Sequence, residues 1–376
     1  MDFNYSDEQQ QLAESLRKFL GAQYGFDQRK AIVHSASGAS DSVWATFAEM
    51  GLTAIALPEE DGGFGGGAVD LMAAMEACGE ALVVEPLLDN VGLAGRLVAR
   101  TGSAAQRAAL LPGLADGTRR LAFAYLEPGR RYAADPQATT AKRDGDGWVL
   151  NGAKTVVIGA PLAHTLIVSA ATPEGASLFI VDPAATGVAA SPCRTVDGQR
   201  AADLRFEGVR LGADALLGTA GGAQAAIDEA LDFATALLCA EAVGAMRYAV
   251  DATLEYTKTR KQFGVAIASF QVLQHRMVEM HIHTEQARSM AILAASRVDG
   301  TDASPAAVRE RQRAVSAAKV KIADAARLVS QEAVQLHGGM GMTEEMKVSH
   351  TFRRLTMLAQ RFGDADHHLA RFARVS

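Results

Sequence analysis

Gln335-Leu336-His337-Gly338-Gly339-Met340-Gly341-Met342 ends the most regular stretch of this 376-residue chain. Reading backward from it, Leu336, Val329, Ile322, Val315 and Val308 recur every seven residues. That period predicts a long helix packed at a shallow angle in a bundle. Gly338 and Gly339 stand where such a helix would end on a left-handed cap, and taken alone they need no other explanation.

Outward from this helix, the 3.6-residue period of residues 220–376 predicts a C-terminal helical bundle. Residues 119–219 change toward a period of two, with turn pairs Asp144-Gly145 and Asp146-Gly147. Asn151-Gly152, between Trp148-Val149-Leu150 and Lys154 to Ile158, predicts a hairpin turn, so a small and mostly antiparallel middle β domain is expected. Residues 1–118 read as helices again. Ser6 with Gln9 is a capping-box start for a stripe of Leu12, Leu16, Phe19 and Leu20. The order helices, sheet, helices makes the fold class α+β.

Composition excludes several functions. Hydrophobic residues are 49% and charged residues 21%, ordinary for a globular protein, and the net charge of −6 recommends neither nucleic acid nor an anionic membrane as a partner. Met1 to Ser6 lack the features of a signal peptide, and no stretch reads as a membrane span. Cys78, Cys193 and Cys239 form neither a disulfide framework nor a metal spacing, so a reduced, cytoplasmic location is expected. Gly63 to Ala68 satisfies a dinucleotide glycine pattern, but Glu59, Glu60 and Asp61 would repel a pyrophosphate there. It reads as a loop. His275, Glu279, His281 and His283 contain a helical i, i+4 pair, but His281 and His283, two apart, face different sides of a helix, and Asp364, Asp366, His367 and His368 read as a polar interface strand; no metal is expected at either place.

Four motifs resemble the acyl-CoA dehydrogenase family. They are the Gly51-Leu52 to Gly65 loop, Glu127-Pro128-Gly129, Arg260-Lys261-Gln262-Phe263-Gly264 followed by Phe270-Gln271, and the Gln335 to Met342 segment. The last two, in order and far apart, are the specific ones. The resemblance implies an acyl-CoA dehydrogenase fold and FAD-dependent α,β-dehydrogenation of an acyl-CoA, with electrons leaving to an electron-transfer flavoprotein. It also implies that Arg260, Gln262, Phe263, Gln271, Gln335, Gly338 and Gly339 serve a neighbouring subunit's FAD. A guanidinium forks onto phosphate oxygens, and glycine lets backbone approach a cofactor closely.

This chain departs from the family where chemistry is done. The family's glutamate position is Gly363 in Arg361-Phe362-Gly363-Asp364-Ala365, and an alternative glutamate position on an earlier helix is Ala234. Flavin-ring contacts expected from hydroxyls and an aromatic fall on Leu126, Tyr132 and Val156-Val157-Ile158. Asp364 and Glu241 are the weak substitutes for the missing base. A step of one residue redirects Asp364, and Glu241 lies about 10 Å from Ala234 along a helix.

The ending Phe362 to Leu369 resembles the small subunits of two-subunit members, such as pimeloyl-CoA dehydrogenase and the enzymes of sterol side-chain degradation. The implied assembly is a heterotetramer in which a large subunit supplies the glutamate and the ring pocket, with His367 near its flavin. Gly363 is compatible with a bulky substrate and equally with a disused pocket. Two other readings stay open: a self-sufficient homo-oligomer with a relocated base, and a non-catalytic scaffold for an enzyme partner.

Overall fold

The computed structural model describes residues 5–300 and 302–375, so Met1 to Asn4 of the leader reading lie outside it. In chain order the first helices are α1 (Asp7–Gln23), α2 (Phe26–His34), α3 (Asp41–Glu49) and α4 (Ala68–Ala81). A π-helical segment, Leu88–Gly95, runs into α5 (Arg96–Thr101), followed by α6 (Ala104–Ala115). Strands β1 (Leu121–Ala124), β2 (Thr140–Asp144), β3 (Gly147–Ile158), β4 (Thr165–Thr172) and β5 (Gly175–Val181) come next. After them come β6 (Val188–Arg194), β7 (Arg200–Leu211) and β8 (Leu216–Leu217). The chain closes with α7 (Gln224–Thr259), α8 (Gln271–Val298), α9 (Pro305–His337), α10 (Lys347–Gln360) and α11 (Ala365–Val375).

These elements form two compact units. The helical unit comprises Met1–Lys30, Ala68–Val83 and Thr235–Ser376. The capping box at its start is made, with the Ser6 hydroxyl accepting the Gln9 amide and the Gln9 side chain accepting the Ser6 amide. The heptad helix is α9, whose Val315, Ile322 and Val329 are fully buried, and it ends on Gly338 at φ +62°.

The sheet unit comprises Ala31–Gly67 and Val84–Ala234. Its strands run in the order β6-β7-β3-β2-β4-β5-β8, with β1 beside β4. Pairings of β4 with β1 and β2 are parallel and the rest are antiparallel. Trp148, Leu150, Phe179, Leu204 and Phe206 fill its core.

Three expectations need correction. Asn151-Gly152 is not a hairpin turn, because β3 passes straight through it; the turn joins Asp144 to Gly147. Asn151 instead accepts the Gly208 amide, and Gly152 marks a shift in pairing where any Cβ would meet Thr139 Cα at 2.5 Å. Asp366, His367 and His368 form no strand but the first turn of α11. Among the described residues one helix, α7, is long and apolar enough to cross a membrane, although 83% of its apolar 18-residue window is buried in the protein.

Candidate functional site

Within the helical unit, the ends of α7 and α9 meet through aromatic rings. Tyr256, one turn before Arg260, stacks on His337 with centroids 4.3 Å apart. His337 Nδ1–H donates to the Ala333 carbonyl at 2.8 Å, which fixes the ring, and burial lowers its pKa. This contact brings the Arg260 and Gly338 motifs to one surface. The sequence reading missed Tyr256; its place one helical turn before Arg260 was the available signal.

On that surface Arg260, Gln262, Phe263, Gln271, Gln335, Gly338 and Gly339 are all exposed. Phe263 is 91% exposed, sits at φ +54° in a tight hairpin between Lys261–Gln262 and Val265–Ala266, and leans edge-on against Phe270. The Arg260 guanidinium makes no ion pair among the described residues, and nothing lies within 4 Å of a Cβ built on Gly338 or Gly339. A free guanidinium, amide side chains and open glycine backbone form a set that can receive a pyrophosphate and its nucleoside. These residues fit FAD presented from outside.

The segment around Gly363 is tightly built. Phe362 has φ +60° and Gly363 φ +122°. Buried Lys319 donates to the carbonyls of Ala359 (2.9 Å) and Gly363 (2.7 Å), and burial pushes its ammonium down to about 8. His368 Nε2–H donates to the Phe362 carbonyl at 3.1 Å, a bond that fixes its tautomer. Burial, with Lys319 and Arg371 nearby, holds His368 at about 3, so it is neutral near pH 7. A Cβ on Gly363 would lie 2.5 Å from His367 Cδ2 and 2.8 Å from His368 Nε2. The place of a side chain at residue 363 is therefore taken by His367 and His368.

Both substitute bases have structural duties. The Asp364 carboxylate accepts the His367 amide at 2.9 Å, as an N-cap does for the start of α11. Glu241 is 2% exposed, and its Oε1 takes the Arg354 Nε at 2.7 Å and also its Nη2. Ala234 is fully buried and offers no carboxylate.

Within the sheet unit, the strand bulge at Thr155-Val156 is the surface expected to face a flavin ring. Val156 is forced to φ +49°, strained for a β-branched residue, and is 42% exposed. Its amide donates to Asp203 Oδ1 at 2.8 Å, and the Thr155 hydroxyl donates to the same oxygen at 2.7 Å. Both donors of the bulge are thus consumed, and Leu126 adds no hydroxyl. This bulge does not fit a flavin ring in the expected way. Glu127, from the Glu-Pro-Gly motif, is structural: buried Lys154 donates to it at 3.1 Å, as do the amides of Gln137, Ala138 and Thr139. Burial alone would raise its pKa, but the amides and Lys154 hold it at about 2.

Family profiles for the acyl-CoA dehydrogenase N-terminal, middle and C-terminal domains match residues 6–118, 122–209 and 220–376. The chain is 32% identical over 373 residues to the acyl-CoA dehydrogenase FadE12 of Mycobacterium tuberculosis, covering 95% of this chain and 93% of that one. Among solved structures, it is similar to the Tcur3481-Tcur3483 steroid ACAD, with a TM-score of 0.86, 30% identity, and coverage of 98% and 97% of the two chains. It is also similar to the ChsE4-ChsE5 complex of Mycobacterium tuberculosis, with a TM-score of 0.90, 26% identity, and coverage of 100% and 98%.

Proposed function

We propose a division of labour for this chain, which belongs to the acyl-CoA dehydrogenase family. That family comprises FAD-dependent oxidoreductases acting on the CH–CH bond of acyl-CoA thioesters. In the proposed assembly this chain is the small, base-lacking subunit of a heterotetramer. A large acyl-CoA dehydrogenase subunit supplies the glutamate and the ring pocket. The carrying observation is that residue 363 has no room for a side chain, so the place of the family's base is closed by His367 and His368. The consumed donors at the Thr155-Val156 bulge point the same way.

Within the proposed assembly, this chain binds and orients. Arg260 would clamp the pyrophosphate of the partner's FAD, with Gln262 and Gln271 beside it. Phe263 would cover the cofactor from the exposed hairpin, and Gln335, Gly338 and Gly339 would border its adenosine end. His367 would stand near the same flavin. FAD, when bound, supplies the acceptor for the β-hydride while a base takes the α-proton. Electrons would leave to an electron-transfer flavoprotein, and the substrate would be the CoA thioester of a fatty acid or sterol side chain. Two of the similar structures are a steroid ACAD and a two-protein complex, which supports this substrate class and a heteromeric assembly.

The test is the double variant Arg260→Ala/Gln335→Ala in the complex copurified with the large subunit. Both side chains are exposed, so the fold is expected to survive and bound flavin, read from visible absorbance, to fall. Unchanged flavin content contradicts the assignment.

A further inference from the structure

An open cleft in the helical unit is lined by none of the site residues above. Its volume is 640 Å³, within the range of about 300–1,000 Å³ typical of small-molecule sites. Its walls come from α1, the start of α2, α4 and α7, with Lys347, the first residue of α10, also lining it. Leu20, Tyr24, Phe26, Ala77 and Ala252 give it an apolar body.

Its polar end is charged, with Arg17, Arg247 and Lys347 in the lining and Glu80, Asp251 and Glu255 as its acids. Glu80 already holds both Arg17 and Arg247, at 3.0 and 3.1 Å. Glu76 holds Arg247 at 2.9 Å, accepts the Tyr5 hydroxyl, and has Arg288 at 3.9 Å. Glu76 and Glu80 are therefore both engaged by guanidiniums. The Lys347 ammonium has no ion pair among the described residues; its contact is the face of Tyr248, 3.9 Å from the ring centroid. Burial and the Arg29 guanidinium push it down to about 8, although Glu80 opposes this. Of the remaining acids in the lining, Asp251 and Glu255 are exposed, and Glu255 is paired with Lys258 at 2.8 Å. A part-buried charge without a counter-charge is costly, and an anion entering from solvent removes that cost.

We propose that this cleft binds a small carboxylate carried on an apolar body, with the carboxylate on Lys347 and the apolar part against Tyr24, Phe26 and Tyr248. The ligand class follows from an ammonium without an ion pair beside the apolar side chains of Leu20, Tyr24, Phe26, Ala77 and Ala252. The site is separate from the surface that receives the partner's flavin, and its occupancy does not depend on that reading.

Calorimetric titration of the whole purified chain with octanoate tests the site. Saturable binding at one site per chain is expected. Lys347→Met should weaken it about tenfold to a hundredfold, the worth of a charged hydrogen bond of about 1.5–3 kcal/mol. Lys347→Arg should retain it, and Ala252→Trp, which fills the cleft without touching the ammonium, should abolish it. Circular dichroism of each variant verifies the fold. Equal binding by wild type, Lys347→Met and Ala252→Trp would place octanoate elsewhere and overturn the proposal. Absence of binding to the wild type up to about 10 mM, well beyond millimolar affinity, would overturn it too. Inorganic phosphate is the companion probe: if it binds with the same dependence on Lys347, the apolar body is irrelevant and the proposed ligand class fails.

Discussion

Gly363 and His367 compete for one volume: a Cβ on residue 363 would come within 2.5 Å of His367 Cδ2. The backbone there, at φ +122°, is one that L side chains rarely adopt. The loss of the family's base is thus fixed by the local structure as well as by the codon. Gly363→Ala should destabilise the chain by about 1–3 kcal/mol, and Gly363→Glu by at least as much, without producing a working base. His367→Ala should recover part of the Gly363→Ala cost. Urea denaturation of the two singles and the double measures this, and strict additivity would refute the shared volume.

Lys319 is the device that holds this turn. Its ammonium ties the Ala359 and Gly363 carbonyls together from the middle of α9. Lys319→Met leaves both carbonyls without that donor and should cost about 2 kcal/mol. Hydrogen exchange should show faster exchange of the turn and first-helix amides, Gly363 to His368, in the variant. Unchanged exchange there would mean that the turn does not need Lys319.

Two buried histidines predict the acid sensitivity. His350 is held at about 4, mainly by burial with Arg353 nearby, and His368 at about 3, against an ordinary value of 6.5. Arg29 donates to His350 Nδ1 at 3.2 Å, which requires that nitrogen to be unprotonated. Between those values and 6.5 the unfolded chain binds more protons than the folded one. The stability they contribute is therefore whole above pH 6.5 and is lost as the pH falls toward 4 and then 3. The urea midpoint should drop between pH 6.5 and 5, above the main carboxylate range. His368→Gln should flatten that drop.

Much of this was legible beforehand, and the failures have physical causes. The seven-residue apolar period gave α9 because burial of Val315, Ile322 and Val329 requires it. The Ser6 and Gln9 cap was readable because it is purely local. Asn151-Gly152 misled because the same Gly that favours a turn also permits close approach to Thr139 inside a strand, and only the partner strand decides between them. The histidines at 367 and 368 could be seen, but their packing over Gly363 depends on α11 folding back onto α9, a long-range contact without a sequence signature. Arg354, which occupies Glu241 from 113 residues away, was hidden for the same reason.

Val156 carries strain that can be relieved. A β-branched residue at φ +49° costs on the order of 1–2 kcal/mol relative to glycine. Val156→Gly removes that cost and little packing, since the side chain is 42% exposed, although glycine gains freedom in the unfolded state. The net change in thermal unfolding should be neutral to stabilising by about 1 kcal/mol. A loss of more than about 1 kcal/mol would mean that Val156 packs against something that exposure does not reveal.

The visible spectrum and native mass of the chain, purified alone and then with its large subunit, test the division of labour most directly. The account predicts a colourless or flavin-poor protein alone, and one flavin for every pair of subunits once the partner is present. A yellow homo-oligomer carrying one FAD in every chain would contradict it, because the Thr155-Val156 bulge would then be holding a flavin ring despite its consumed donors.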